Sequence, residues 1–221
     1  MAIDMALVWT ALPYLAKGAW ITTQITVISF ALGCLFGIVL GYLHTLRNPY
    51  LQMPITAFVT IIRGTPMLIQ ITFFYYVVPL LGIDLSPFWA AVAAIAMNSS
   101  AYISQIIKGG IIGVGYAQVE AAQVLGLTKI QIARYIVIPQ AVVLVFPSLV
   151  GEFITLLKDS SLASVIGVME LYKEARAIMT QSYDVITVFF LMAVFYLGLT
   201  SFFTLIFHAI ERKLSWYVKH S

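Results

Sequence analysis

The chain has 221 residues, of which 62% are hydrophobic and only 10% are charged. Soluble domains carry about a quarter charged residues, so this composition excludes a mainly soluble protein and indicates an integral membrane protein. The net charge of +3 requires no nucleic acid to explain it, and the single cysteine, Cys34, excludes a disulfide framework or a cysteine metal cluster.

Five apolar segments are long enough to cross a bilayer as helices. Before them, Ala2–Lys17 is apolar but interrupted by Pro13, and we expect a separate interfacial helix there. Within the second span, Thr65 and Pro66 are expected to break the helix. The whole chain, residues 1–221, is predicted to be one all-α membrane domain. In chain order the predicted spans are Ala19–His44, Pro54–Leu81, Pro87–Ile107, Ile138–Leu157 and Val185–Ile210.

The charges between the spans predict the orientation, because lysine and arginine favour the cytoplasmic side of a membrane. Asp4 stands where a signal peptide would be basic, so we expect no cleavable signal. The N-terminus is predicted outside and the C-terminus in the cytoplasm. The predicted cytoplasmic side carries Arg47, Lys108, Lys129, Arg134, Arg212, Lys213 and Lys219. The other side carries Lys17, Lys158, Lys173 and Arg176, offset by Asp4, Asp84, Asp159, Glu170, Glu174 and Asp184.

The cytoplasmic segment 110–139 is unusually polar for this chain. Residues Tyr116–Leu125 favour a helix that ends at Gly126. The sequence Thr128–Gln131 has the form of a capping box and predicts a second helix, which Pro139 kinks or restarts at the membrane. The segment is either an ordinary capped loop or a rigid lever moved by another protein.

Residues of this segment match a spaced pattern: Glu120-Ala121-Ala122, Gly126, Ile136 and Pro139, with Ile138 where leucine is usual. The pattern resembles the "EAA" loop of importer-type ABC transporter permeases. Three further segments resemble permeases of the histidine/glutamine/arginine uptake type. They are Arg63–Gln70, similar to "RGTPLLVQ", Asn98–Tyr102, similar to "NSAAY", and Glu152–Gly167, similar to "NEFI…LLKDTSLASVIG". The chain departs from these relatives at Gln105 and Lys108, where they carry glutamate and arginine.

The resemblance implies a type I ABC importer permease-like (MetI-like) fold in the inner membrane of a prokaryote. It implies three partners: a cytoplasmic ABC ATPase dimer, a second permease subunit that is identical or related, and an extracytoplasmic amino-acid-binding protein. The chain has no phosphate-binding loop, so ATP and Mg are expected on the ATPase subunits, with no cofactor, metal or catalytic residue here. The residues implied in ATPase coupling are Glu120, Ala121, Ala122, Gly126, Leu127 and Lys129.

Polar residues at helical spacing inside the spans predict a substrate pathway. A charge within a span costs about 3 kcal/mol, so Glu152 in the fourth span needs a functional or structural reason. A ligand-facing Glu152 would favour the cationic amino acids arginine, lysine and histidine. The predicted substrate-binding residues are Thr65, Gln70, Asn98, Tyr102, Ser148, Glu152 and Thr155.

Each of these assignments has a structural alternative. Glu152 could pair with Arg63, and Arg63 could instead reach the cytoplasmic headgroups. Asn98 and Gln105 could simply hydrogen-bond neighbouring helices. Gly33, Gly37 and Gly41 are interpreted as helix packing, with the first span against a neighbour.

The external segment 158–182 is too polar and too short to span, and we expect it to line an outer gate with Asp159, Ser160 and Ser161. Lys158, Asp159 and Ser160 could instead merely cap the helix that follows. Three alternatives for function stay open: glutamine or glutamate as substrate, a self-sufficient secondary transporter or channel, and a structural subunit of a membrane complex.

Overall fold

A computed structural model describes residues 3–46 and 48–220, with side chains up to Leu214. Over these ranges the chain is helical and contains no strand, which confirms the all-α class. Short 3-10 turns at Val78–Leu81 and Ser160–Ile166, and a π-helical turn at Ala133–Val137, join some of the helices. The helices are α1 Met5–Thr45, α2 Pro49–Gly64, α3 Met67–Tyr76, α4 Pro87–Gly113, α5 Tyr116–Val124, α6 Lys129–Ile132, α7 Ile138–Asp159, α8 Leu171–Ser182 and α9 Val185–His220.

Four stretches of the described chain are helical, long and apolar enough to cross a membrane: α1, α4, the stretch that contains α7, and α9. Helices α2 and α3 could together form a fifth span, in which the chain bends by 102° between the two helices. The predicted break lies where expected, at Thr65 and Pro66. Arg47 and the side chain of Lys219, which entered the prediction of orientation, lie outside the described residues.

The predicted separate interfacial helix at Ala2–Lys17 is wrong. Helix α1 runs without interruption for 41 residues, with Asp4 as its N-cap and Pro13 inside it. At 1.5 Å per residue it is about 60 Å long, roughly twice the hydrocarbon thickness. The buried side chains of Ala11 and Leu15, on either side of Pro13, pack with α8 and α9, so tertiary contacts hold the helix together through the proline.

Helix α1 packs closely against α4 along three glycines. A Cβ atom at Gly33, Gly37 or Gly41 would lie 2.7 Å from the nearest atom of α4. The atoms that it would meet belong to Ser99, Ile103, Ser104 and Ile107. The interpretation of these glycines as packing residues is confirmed, because only a missing side chain allows the two backbones to come this close.

The main core lies where α1, α3, α4 and α7 meet the 3-10 turn at Ser160–Ile166. Ile25, Ile71 and Ile95 are fully buried there. A second cluster joins the first half of α1 to α8 and α9 through Leu15 and Leu171. Segment 158–182 is therefore part of the packed structure.

The carboxylate of Glu170 connects segment 158–182 to helices α1 and α9 through hydrogen bonds. It accepts hydrogen bonds from the backbone N–H groups of Tyr172 (2.9 Å) and Lys173 (2.8 Å), which caps α8. It also accepts from the hydroxyls of Thr22 in α1 (3.4 Å) and Tyr196 in α9 (3.3 Å). Glu170 is fully buried, and this burial raises its pKa from 4.5 to about 7 despite the four donors.

The raised pKa of Glu170 predicts a stability that depends on pH. Between the unfolded pKa of 4.5 and the folded value of about 7, the folded chain binds more protons than the unfolded chain, so stability falls as pH rises. The total effect is on the order of 3 kcal/mol. Melting temperatures of the purified complex at pH 5, 6, 7 and 8 should fall across this window, and Glu170→Gln should flatten the curve.

The half-buried acid Asp184 provides the control for Glu170. Hydrogen bonds from Thr187 lower the pKa of Asp184, so its titration lies below the tested window. Asp184→Asn should leave the slope between pH 5 and pH 8 unchanged. An unchanged slope in Glu170→Gln would show that other groups cause the pH dependence.

Candidate functional site

A cavity of about 440 Å³ opens beside the break between α2 and α3. Its volume lies in the usual range for small-molecule sites, about 300–1,000 Å³. The end of α2, the break, α4 and α7 form its walls. The lining residues are Arg63, Gly64, Thr65, Pro66, Met67, Asn98, Tyr102, Glu152, Thr155, Leu156 and Asp159.

Gln70 stabilises the break that forms one wall of this cavity. Pro66 has no N–H group, so the carbonyl of Ile62, four residues earlier, loses its helical donor. The amide of Gln70 replaces that donor, at 2.8 Å from the Ile62 oxygen. It also donates to the hydroxyl of Thr65 at 2.8 Å, and its own oxygen accepts from Asn98 at 2.9 Å.

Replacing Gln70 by leucine should destabilise the break. The change would leave the Asn98 amide without this partner, at about 1–3 kcal/mol. The Ile62 carbonyl would keep only the longer hydrogen bond from the Thr65 hydroxyl, at 3.3 Å. We expect a lower melting temperature and at least tenfold weaker substrate-stimulated ATP hydrolysis in the assembled complex. Thr72→Val on α3 is the matched control, because the Thr72 hydroxyl bonds only to carbonyls of its own helix. Equal effects of both variants would contradict the assigned role of Gln70.

The cavity brings together one cation and two acids. The guanidinium of Arg63 lies over the ring of Tyr102, 4.9 Å from its centroid. Glu152 and Asp159 lie two turns apart on α7, about 10 Å along the helix axis, and both line the cavity. Such a set can hold a molecule that carries a carboxylate together with one or two positive groups.

The structure brings most of the predicted substrate-binding residues to this cavity. Thr65, Asn98, Tyr102, Glu152 and Thr155 all line it, and so does Asp159, which was predicted as a gate residue.

The other predicted residues lie elsewhere. Gln70 is buried behind the cavity wall, and Ser148 is exposed outside the lining. The hydroxyls of Ser160 and Ser161 donate to the carbonyls of Leu157 and Lys158, three residues earlier. This local bonding, which periodicity does not reveal, turns both serines away from the cavity lining.

Arg63 lines the cavity, although it was not among the predicted substrate-binding residues. Arg63 lies in the last turn of α2, which begins at Pro49. Its guanidinium contacts Tyr102, and no ion pair with Glu152 is found among the described residues. The ion-pair alternative is therefore not supported by this geometry, and the headgroup alternative stays a prediction.

A second candidate surface lies on the segment between α4 and α7. The corner after α5 has Gly126 at φ +79°, with hydrogen bonds from Leu127 N–H to Ala122 O and from Gly126 N–H to Gln123 O. These two bonds form a Schellman motif, which favours glycine at this position. The predicted capping box of Thr128 and Gln131 is confirmed, with both reciprocal bonds present.

Large apolar side chains are exposed at the tip of this segment: Val124 is 88% exposed, and Leu125 and Ile130 are each 80% exposed. Of the predicted coupling residues, Glu120, Ala121, Gly126 and Lys129 are exposed, Leu127 is half-buried and Ala122 is buried inside the corner. We refer to the surface formed by residues 116–132 as the coupling tip.

The coupling tip is joined to the helix that carries Glu152. The amide of Gln140 on α7 donates to the side-chain oxygen of Gln118 on α5 at 2.7 Å. Before α7, the chain widens into the π-helical turn Ala133–Val137. Pro139 follows this turn and cannot donate to the carbonyl of Tyr135, so it contributes to the irregular geometry.

The family described as "Binding-protein-dependent transport system inner membrane component" matches residues 33–216. The chain belongs to this family. The membership agrees with the resemblance carried by the loop at Glu120 and the three other motifs, and it identifies the chain as a membrane component of a transport system.

Named relatives match almost the full length of the chain. It is 34% identical over 216 residues to the glutamine transport system permease protein GlnP of Escherichia coli (strain K12), covering 97% of this chain and 99% of that protein. It is 35% identical over 207 residues to the L-cystine transport system permease protein TcyB of Bacillus subtilis (strain 168), covering 93% and 88%.

Solved structures confirm the permease fold. The crystal structure of an amino acid ABC transporter with histidines matches with a TM-score of 0.88 and 32% identity, over 96% of this chain and 100% of that one. An inward-facing MetNI methionine ABC transporter matches with a TM-score of 0.76 and 21% identity, over 96% and 99%, and supports the fold alone.

Proposed function

We propose that this chain is the permease subunit of an ATP-driven ABC importer for amino acids, with basic amino acids as its substrates. The relatives named for glutamine and cystine, and the transporter structure titled with histidines, support an amino-acid cargo. The predicted orientation, with the N-terminus outside a prokaryotic inner membrane and the C-terminus in the cytoplasm, is part of this proposal.

The substrate class is inferred from the charged residues that line the cavity, which are Arg63, Glu152 and Asp159. An α-carboxylate would bind Arg63, and an α-ammonium would bind one of the two acids, Glu152 or Asp159. The remaining acid has no cation among the described lining residues. A positively charged side chain would balance it, which favours arginine, lysine or histidine over a neutral amino acid.

A second permease subunit, identical or related, would complete the site. Arg63 and Thr65 are exposed in the single chain, although Arg63 lies about 20 Å along α2 from its start. An arginine facing lipid at this depth would be costly. Cover from a partner subunit would convert the open cavity into an enclosed pathway, with Glu152 and Asp159 facing its interior.

The coupling tip is the surface that we propose contacts the ATPase subunits. Exposed apolar side chains such as Leu125 and Ile130, on a rigid capped corner, favour docking against a cytoplasmic protein. In this proposal the ATPase dimer, which would bind ATP and Mg, moves the tip, and α7 transmits the motion through its direct connection to the tip. An extracytoplasmic binding protein would deliver the amino acid to the opposite face.

The test is uptake of labelled arginine, glutamine and glutamate into proteoliposomes that contain the assembled complex and its binding protein. We expect ATP-dependent uptake with arginine preferred. Uptake of glutamine alone would support the importer and reject the basic substrate, as the name of the Escherichia coli relative would suggest. Uptake driven by an ion gradient without ATP would instead indicate a secondary transporter and contradict the proposal.

A further inference from the structure

An apolar groove of about 410 Å³ shares no lining residue with the substrate cavity. Its walls come from four helices and include Phe36 and Leu40 of α1, Phe58 of α2, Phe74 of α3, and Ala93 and Met97 of α4. The hydroxyl of Ser100, which also lines it, donates to the carbonyl of Met97 at 2.7 Å. The groove therefore presents hydrocarbon to whatever fills it.

A polar cluster lies at the end of the same helices. The ammonium of Lys108 on α4 lies 3.1 Å from Nε2 of His44 on α1, and the hydroxyl of Thr56 on α2 is 3.3 Å from the same nitrogen. Lysine can only donate, so Nε2 accepts and the proton of a neutral His44 is on Nδ1. The amide of Gln105 lies 3.3 Å from Nδ1, and its oxygen is the atom suited to face that proton.

Lys108 has no acidic partner in this cluster. Helices α1, α2, α3 and α4 contain no aspartate or glutamate. Its ammonium has three protons, and His44 is the only acceptor found for them among the described residues. Two protons of a partly exposed cation therefore remain available to an external anion.

The groove and the cluster lie on the same two helices, α1 and α4. On α1, Phe36, Leu40 and His44 follow one another at four-residue spacing, so they share a face. On α4, Ser100, Ser104 and Lys108 do the same. Along α4 the groove extends from about 12 Å (Ser100) to about 22 Å (Ala93) from Lys108, so its own length of about 10 Å is shorter than the roughly 15 Å depth of one leaflet.

We propose that this face binds an anionic phospholipid, with its phosphate group at Lys108 and one acyl chain in the groove. Lys108 would bind the anionic headgroup of the lipid, and the apolar groove would bind its hydrocarbon chain. The site lies at the end of the bundle that leads into the coupling tip, which the proposed orientation places in the inner leaflet. It does not depend on which amino acid is transported.

Native mass spectrometry of the delipidated complex tests the proposal. Phosphatidylglycerol and phosphatidylcholine with identical acyl chains should bind with different affinity, the anionic lipid being preferred by about fivefold, the factor expected for one lysine. Lys108→Gln should abolish this preference. Ala93→Phe, which would fill the groove, should weaken both lipids. Equal binding of both lipids to the unmodified complex would overturn the proposal.

Two matched variants control for general effects of charge and bulk. Lys213→Gln removes an exposed lysine near the end of α9, and Ala193→Phe adds the same ring at an exposed position of α9. Both should leave the lipid preference and affinity unchanged. Competition with inorganic phosphate should have little effect, because the acyl chain supplies part of the affinity. Full displacement by inorganic phosphate would mean that the site is an anion site alone, and would also overturn the proposal.

A photo-crosslinking residue at Phe36 tests the occupant of the groove directly. Phe36 lines the groove and is 57% exposed. Irradiation in the native membrane should add the mass of a phospholipid to this chain. A crosslink to a second permease subunit would show that protein covers the groove, and the lipid proposal would be rejected while the importer function stood.

Discussion

Replacement of Glu152 by glutamine is expected to lower arginine-stimulated ATP hydrolysis about tenfold to hundredfold. The amide keeps the size of the side chain but removes the negative charge opposite the substrate cation. Charge-assisted hydrogen bonds contribute about 1.5–3 kcal/mol each, which corresponds to this range. The measurement is ATP hydrolysis by the reconstituted complex with its binding protein, titrated separately with arginine and glutamine.

The response to the two amino acids separates a ligand from a structural residue. If Glu152 binds the positively charged side chain of the substrate, the variant should lose its response to arginine more than its response to glutamine. Glu211→Gln, which removes an acid near the end of α9 and outside the cavity, should behave like the unmodified complex. An equal loss of ATP hydrolysis with both amino acids would indicate that Glu152 has a structural role and that the external binding protein determines selectivity.

Replacement of Gly126 by valine is expected to uncouple the permease from its ATPase. Gly126 adopts φ +79°, a conformation that costs other residues about 1–2 kcal/mol and disfavours β-branched side chains further. A Cβ atom at this position would meet nothing within 4 Å, so the effect comes from the backbone and not from a clash. We expect at least a tenfold loss of ATP-dependent uptake and weaker co-purification of the ATPase.

Two comparisons make this prediction specific. Gly198→Val on α9 introduces the same side chain into equally open space, but at a helical position, and uptake should be unchanged. Gly126→Asn should retain most of the activity, because asparagine tolerates the left-handed conformation. Similar loss in Gly126→Asn and Gly126→Val would show that the side chain, and not the backbone, disturbs the contact with the ATPase.

Local rules account for the features of the chain that the sequence predicted correctly. Apolar length located the spans, and the spacing of Glu120, Gly126 and Pro139 identified the family, which the comparisons confirm. The capping box at Thr128 and the glycine corner were also predictable, because hydrogen bonds between residues two to five apart depend on the local sequence.

Helical periodicity could only partly predict the cavity. The spacing rule places Ser148, Glu152 and Thr155 on one stripe of α7, yet Ser148 lies outside the lining. The polar stripe on α7 extends beyond the cavity, which α2, the break after it and α4 enclose on the other sides. The same break explains Gln70, which looked like a ligand residue and instead satisfies the carbonyl freed by Pro66.

The sequence by itself determined the membrane class, the family, the break at Pro66 and the capped coupling tip, since each depends on composition or on neighbours along the chain. Only the tertiary structure decided that α1 continues through Pro13, that Arg63 faces Glu152 across one cavity, and that Lys108 meets His44. These contacts join residues separated by tens of positions. Their geometry depends on how closely the helices pack, as at Gly37, and no local pattern encodes that distance.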